Sequence, residues 1–257
     1  MRSRPEQAGR LLAEAWRSRR KIASLGDLRP RSRHEAYQAQ QAMAAAIGLP
    51  IGGWKVGAAT PAILAQRGLD APIPGPIYKS RMFESPCRLP GSEFVGANLE
   101  SEFAFRTTAR LPTRSGPYRP DELADTVVAC PAFDLTQSRF AEPPDALSEI
   151  ADSGNSGGAV IGRPIRNWQD MNLGGAAVDL RLDEAERVRV YAGQWRRDPL
   201  GVLCWLVNSL SRRSIALEAG TYVLTGSVTE PQPLADGSAA VARFEGAGEI
   251  RVRVGGP

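Results

Sequence analysis

Apolar residues recur at helical spacing in two stretches near the start of the chain. In residues 6–20, side chains such as Leu12 and Trp16 fall on one face and charged residues on the other, which is typical of an amphipathic helix. A second helix is predicted over residues 32–47, with Ser32 as its N-cap. Further helices are predicted over residues 121–128 and 198–210.

Extended segments fill most of the remaining chain, because apolar and polar residues alternate there with a period of two. Residues 72–90 interrupt this pattern with many Pro and Gly residues and are predicted to form a long surface loop. The 257 residues fit one large domain or two small ones. The predicted strands are residues 51–57, 94–107, 131–140, 178–182, 187–191, 220–227, 239–244 and 249–254, of which the last two form a hairpin.

The stretch with the clearest chemical meaning is Glu100-Ser101-Glu102. On a strand, both carboxylates point to the same side. Asp134 alternates with apolar residues on the next predicted strand, so it can face the same cleft. Carboxylates this close repel one another unless a cation lies between them, and a hard divalent cation would serve. Spacing alone leaves open a second interpretation, in which two ordinary glutamates face solvent at a strand edge.

Lys55 stands in an apolar, glycine-bounded strand, which is an unusual place for a lysine. Burial or a nearby cation would lower its pKa and suit it to acid–base chemistry or to anchoring a substrate. Alternatively, its stem packs while the ammonium group reaches solvent. His34 is the only histidine, so any mechanism that needs two histidines is excluded.

Composition excludes several classes of protein. The net charge of +4, from 32 basic and 28 acidic residues, is too small for a nucleic-acid surface, and the basic residues 17–21 are interpreted as a solvated helix end. Cys87, Cys130 and Cys204 are widely spaced and odd in number, which predicts reduced thiols in a cytoplasmic protein. No apolar run approaches the roughly 18 residues of a membrane span.

Five short motifs occur in an order that resembles the 2-keto-4-pentenoate hydratase and 2-oxo-3-enoate decarboxylase branch of the fumarylacetoacetate hydrolase family. The resemblance extends over roughly residues 11–254. The motifs are GWKVG at 53–57, ExE at 100–102, PAxDxxxSR at 131–139, ADxxxSG at 151–157 and VLTGS at 223–227.

The resemblance implies an α+β fold with a mixed β-sandwich or barrel-like core, divided into an N-terminal helical segment (1–50) and a catalytic domain (51–257). It implies a homo-oligomeric lyase of aromatic compound catabolism that acts on a small 2-oxo acid, with neither a nucleic acid nor a membrane as partner. In the implied site, Mg²⁺ or Mn²⁺ is held by Glu100, Glu102 and Asp134. Lys55 acts as acid or base or as a charge partner for the developing enolate, and Asp152 holds Lys55 or a water. Thr225 and Ser227 are donors to the substrate carboxylate. Capping of their own turn is an equally open role for Thr225 and Ser227.

The implied reaction is hydration of a 2-hydroxy-2,4-dienoate to a 4-hydroxy-2-oxo acid. Decarboxylation of a 2-oxo-3-enedioate and a binding role without catalysis are the alternatives, whereas hydrolysis of an acylpyruvate is disfavoured by the lack of a well-placed histidine. The chain departs from the branch at five positions, which suggests altered substrate choice or reduced activity. Asp134 replaces Glu, Gln137 replaces Asp, Ser153 replaces Asn, and Arg197-Asp198-Pro199 replaces Gly-His-Pro.

Overall fold

The computed structural model describes residues 2–94, 96–183 and 186–255. Both N-terminal helices are present, and the second begins after Ser32, whose hydroxyl accepts a hydrogen bond from Glu35 N at 3.2 Å. It ends at Gly48, whose φ of 74° is a left-handed conformation that glycine adopts readily. The helices are α1 (Arg4–Ser18), α2 (Arg33–Ile47), α3 (Pro61–Arg67), α4 (Pro120–Ala124), α5 (Ala146–Ala151) and α6 (Pro199–Ser211).

The strands of the described residues form two mixed sheets. They are β1 (Ile51–Gly57), β2 (Ile73–Tyr78), β3 (Met82–Glu84), β4 (Cys87–Leu89), β5 (Asn98–Thr107), β6 (Val127–Thr136), β7 (Ser156–Ile161), β8 (Val178–Leu182), β9 (Glu186–Arg187), β10 (Tyr222–Leu224), β11 (Gln232–Pro233), β12 (Ala239–Phe244) and β13 (Gly248–Val254). The larger sheet has the order β2-β1-β10-β5-β6-β7-β3, with β11 added to β5, and the smaller has the order β4-β13-β12-β8-β9. This architecture is the predicted α+β class.

The larger sheet brings four motif-bearing segments side by side. Its strand β10 pairs in parallel with β1 and antiparallel with β5, and β5 pairs antiparallel with β6 along its whole length. Residues far apart in the chain, such as Lys55 on β1 and Asp134 on β6, therefore lie within one short span of sheet.

The prediction of a long loop over residues 72–90 is wrong, because this segment contains three short strands, β2, β3 and β4. Strand β2 carries Pro74 and Pro76, and it lies at an edge of the larger sheet. Proline lacks the N–H that a central strand needs, so an edge is where it can be accommodated. The strand predicted at 131–140 begins earlier, at Val127, and the helix predicted at 121–128 ends at Ala124.

The two sheets pack face to face. The ring of Phe103 on β5 lies 5.2 Å from that of Phe244 on β12 in an edge-on contact, and Leu203 and Leu206 of α6 belong to the same cluster. Aromatic pairs of this geometry stabilise a core beyond the area they bury. The core of the protein is therefore a sandwich between the sheets, closed by α6.

Helices α1 and α2 pack on each other and bury Leu12 and Met43 in a second cluster that includes Phe140. The division of the chain at residues 50 and 51 stays a prediction. The three cysteines are free, as predicted. None of the helices in the described part of the chain is long and apolar enough to cross a lipid bilayer.

Candidate metal centre and active site

Three carboxylates converge where β5 and β6 pair. Glu100 lies directly opposite Asp134 in the antiparallel register, and residues opposite each other share one face of a sheet. Glu102 is two residues further along β5 and faces the same way. One oxygen of each carboxylate lies within 4.8 Å of the others. The convergence predicted from the period of two is thus present in the structure.

The buried carboxyl groups are held in an unfavourable environment without a cation. Burial raises the pKa of Glu100 to about 7, and the neighbouring Asp134 carboxylate adds to this rise. Burial and the repulsion of its two neighbours raise the pKa of Glu102 well above its usual range, and burial also raises the pKa of Asp134. Proximity to a cation would favour the ionised forms.

The donor set fits a divalent metal. Neither oxygen of the fully buried Asp134 accepts a well-aligned hydrogen bond from the part of the chain that the structure describes. One oxygen of Glu102 accepts a hydrogen bond from Gly226 N at 2.5 Å, which orients that carboxylate. Clustered carboxylate oxygens with unused lone pairs are the ligands that Mg²⁺ and Mn²⁺ prefer. These three residues could therefore hold Mg²⁺ or Mn²⁺.

Lys55 projects from β1 into this cluster. Its Nζ lies 3.1 Å from Asp134 Oδ2 and donates a hydrogen bond to Gly154 O at 3.1 Å. Burial acts to lower the pKa of Lys55, but attraction from Asp134, Glu100 and Glu102 outweighs it and raises that pKa above its ordinary value. The expectation of a lowered pKa is therefore wrong for the metal-free site, where Lys55 is an ammonium group.

Asp152 is not a partner of Lys55. It forms a buried ion pair with Arg139, and its other carboxylate oxygen accepts a hydrogen bond from Arg139 N at 3.0 Å. Arg139 also donates to Ser156 O at 2.7 Å, so the pair holds the end of β6 against the start of β7. The Asp152 contacts are structural, and they place the neighbouring Gly154 carbonyl beneath Lys55.

Thr225 and Ser227 lie on the turn after β10, as predicted, but both hydroxyl groups already have acceptors. Thr225 Oγ1 donates to Phe103 O at 2.7 Å, and Ser227 Oγ donates to Thr229 O. The first bond ties the turn to β5 and the second closes the turn on itself, which is the capping role that the sequence also allowed. Their role as donors to a substrate stays a prediction, and these bonds do not favour it.

A cavity of about 640 Å³ opens beside the carboxylates. Its lining includes Lys55 and Glu100, and further residues that were not among the predicted site residues. Asn155 carries a buried amide oxygen without a hydrogen-bond partner among the described residues. These further residues come from loops and short helices whose spacing carries no periodic signal. They include Arg67, Glu149, Asn155, Tyr191 and Arg197.

The two packed sheets have the same fold as solved structures of fumarylacetoacetate hydrolase family proteins. The 4-oxalocrotonate decarboxylase from Pseudomonas putida G7, solved with magnesium and adipate, superposes with a TM-score of 0.87 at 22% identity, and the match covers 99% of each chain. No family model matches the sequence.

Sequence relatives narrow the resemblance to one branch. A 2-keto-4-pentenoate hydratase of Paraburkholderia phymatum is 28% identical over 255 residues, which are 97% of each protein. A 4-oxalocrotonate decarboxylase of Pseudomonas putida is 28% identical over 210 residues, which are 80% of this chain and 78% of that protein. The chain is a homologue of these hydratases and decarboxylases, and the resemblance predicted from the motifs is confirmed.

Proposed function

We propose that this protein is a divalent-metal-dependent lyase that adds water to a 2-hydroxy-2,4-dienoate and yields a 4-hydroxy-2-oxo acid. The observation that carries the proposal is the convergence of Glu100, Glu102 and Asp134 beside a cavity, with the Lys55 ammonium group 3.1 Å from Asp134. Homology to a 2-keto-4-pentenoate hydratase over 97% of the chain supports the same chemistry.

The carboxylates would hold Mg²⁺ or Mn²⁺, which supplies a Lewis acid for the 2-oxo acid when bound. Lys55 carries an extra proton in a water-poor setting and is anchored on two sides by Asp134 and Gly154. It can protonate the terminal carbon of the dienol and then take up the proton that the 2-hydroxyl group releases. This gives the conjugated 2-oxo-3-enoate and restores the Lys55 ammonium group. Positioned proton transfer of this kind contributes about 10²–10⁴-fold to rate.

Water must then add at carbon 4 while carbon 3 takes up a proton. Glu149 lines the same cavity and forms an ion pair with Arg67. Its carboxylate is the one in the described lining that lies outside the triad, so it can accept the proton of the attacking water. The protonated Lys55 is the nearby donor for carbon 3. This assignment divides the acid and base roles between two residues that line one cavity, and return of the Glu149 proton to Lys55 completes the cycle.

Decarboxylation of a 2-oxo-3-enedioate is the second candidate, since a 4-oxalocrotonate decarboxylase is as similar in sequence as the hydratase. The reaction needs no base to activate water. Hydration therefore depends on Glu149 and decarboxylation does not. Glu149→Gln should slow hydration by at least about tenfold and leave decarboxylation unchanged.

The proposal is tested with purified protein and Mg²⁺ or Mn²⁺. We expect either ion to raise the melting temperature and Glu102→Ala to abolish the increase, with Glu142→Ala, a substitution at an exposed glutamate, as the control. Loss of dienoate absorbance without release of carbon dioxide identifies the hydratase, and release of carbon dioxide identifies the decarboxylase. An unchanged metal response in Glu102→Ala would rule out this metal site, and saturable 2-oxo acid binding without turnover would leave only a binding role.

A further inference from the structure

A buried cation without an ion-pair partner lies at the wall of the cavity. Arg197 immediately precedes the N-cap of α6 and is only 8% exposed. One terminal nitrogen of its guanidinium donates to Ser227 O, whereas the buried Nε has no partner among the described residues. A charge removed from water is costly unless it is paired. Its burial therefore needs an explanation.

The other arginines nearby are accounted for within the protein. Arg67 pairs with Glu149, and Arg189 pairs with Glu230 at 3.0 Å. Arg196, the neighbour of Arg197, donates to the carbonyls of Gly174 and Ala176, both at 2.8 Å. Arg197 has one backbone acceptor and attraction from Glu100 and Glu102 at longer range. Of these four arginines, Arg197 is the one that has neither an ion pair nor a second hydrogen-bond acceptor among the described residues.

The turn after β10 is shaped to admit this side chain. Gly226 has a φ of 93°, and a Cβ at this position would lie 2.6 Å from Arg197 Nε. Any other residue at 226 would thus displace the guanidinium. The same Gly226 donates its N–H to Glu102 at 2.5 Å. One residue therefore connects the position of Arg197 to that of a triad carboxylate.

The charges of the metal centre and of a bound 2-oxo acid indicate a role for Arg197. A divalent ion and Lys55 together carry three positive charges, which equal the three negative charges of Glu100, Glu102 and Asp134. The loaded centre is then neutral before substrate arrives, and the carboxylate of a 2-oxo acid adds one negative charge. Arg197 supplies the one positive charge that balances it. Arginine is also the side chain best suited to carboxylates, through paired N–H donors.

We propose that Arg197 is the receptor for the carboxylate of the 2-oxo acid, at a position where the branch motif has glycine. The inference rests on the proposed function and goes further, because it assigns recognition of the substrate carboxylate to one named side chain. It also takes over the task predicted for Thr225 and Ser227, whose hydroxyl groups are occupied by backbone acceptors.

The test compares two ligands, Mg²⁺ alone and oxalate added to the Mg²⁺-loaded protein, by titration calorimetry. Arg197→Gln should weaken oxalate binding by about 10- to 100-fold, the usual effect of losing a charge-assisted hydrogen bond. It should bind Mg²⁺ at least as tightly as the wild type, because a repelling cation is gone. Arg189→Gln is the matched control: it removes the same charge from the same cavity, and both affinities should stay within about threefold.

A loss of oxalate affinity without a loss of Mg²⁺ affinity distinguishes carboxylate recognition by Arg197 from a structural role. If Arg197→Gln binds oxalate as well as the wild type, or loses Mg²⁺ and oxalate in parallel, the inference is wrong. Arg197→Lys keeps the positive charge but not the paired N–H donors, so its oxalate affinity should fall between those of the wild type and Arg197→Gln. It replaces Arg197→Gln in the test if that variant does not fold. A wild type that binds neither ligand would overturn the proposed function and this inference together, whereas binding of both by all variants would overturn the inference alone.

Discussion

Raising the pH should destabilise the metal-free protein, because the site's carboxyl groups hold protons more tightly in the folded state. The pKa of Glu100 rises from 4.5 to about 7 on folding, and the pKa values of Glu102 and Asp134 rise as well. At a pH below the pKa that these carboxyl groups have in the unfolded chain, they are protonated in both the folded and the unfolded state, and the free energy of unfolding is not reduced. As the pH rises towards 7, the unfolded state releases these protons first, and stability falls.

Glu100 alone should account for at most about 3 kcal/mol of this loss, since one pKa unit corresponds to roughly 1.36 kcal/mol. The figure is an upper limit because Glu100 lines the cavity and water there screens its charge. In a protein of this size, about 3 kcal/mol lowers the melting temperature by about 6–12 °C. Mg²⁺ binds the ionised carboxylates, so its stabilising effect should be small near about pH 5.5 and large near about pH 8.

The assay is thermal unfolding in EDTA and in Mg²⁺ across this pH range, for the wild type and for Glu100→Gln. The glutamine keeps the shape of the side chain and cannot ionise, so the variant in EDTA should lose less stability with rising pH than the wild type. The reasoning would be refuted by a wild type and variant with parallel pH profiles in EDTA, or by a Mg²⁺ effect of equal size at both ends of the range.

Other substitutions separate the catalytic from the structural parts of the site. Lys55→Met should lower turnover by about 10²–10⁴-fold, measured with saturating Mg²⁺; unchanged turnover would remove Lys55 from the mechanism. Asp152→Asn leaves the buried Arg139 unpaired and should cost about 3–5 kcal/mol in urea unfolding, while the Mg²⁺ affinity of the folded protein stays the same. Gly226→Ala should displace Arg197 and weaken oxalate binding about tenfold or more; wild-type affinity would contradict the clash.

The metal triad was predictable because its geometry is local to two strands. The period of two places Glu100 and Glu102 on one face, and the alternation around Asp134 places it on one face of the next strand. Which residue lies opposite which is set by the pairing register of β5 and β6, and no sequence pattern revealed that register. The sequence predicts only that the three carboxylates can converge. That their oxygens lie within 4.8 Å of one another follows from the pairing of the two strands in the fold.

The errors concern properties that depend on distant neighbours. Burial alone would lower the pKa of Lys55, and its sign is reversed by carboxylates that are distant in sequence. The motif predicts that Asp152 holds Lys55 or a water, yet its carboxylate pairs with Arg139, thirteen residues away. Prolines in residues 72–90 indicated a loop, although an edge strand tolerates them. In each case, the sequence shows the residue type and its local pattern but not which partner the fold brings to it.

The departures from the branch motifs lie around the metal triad without dismantling it. Asp134 keeps a carboxylate in the triad, and Asp198, in place of histidine, accepts hydrogen bonds from Leu200 N and Gly201 N as the cap of α6. Ser153 turns towards Met43 instead of the cavity, while Asn155 brings an unpartnered amide oxygen to the cavity wall two residues later. A protein that had lost catalysis would not need to keep the three carboxylates and Lys55, or to bury Arg197 beside them. These features support the proposed metal-dependent activity, and Arg197 is the departure that lines the cavity where a substrate would bind.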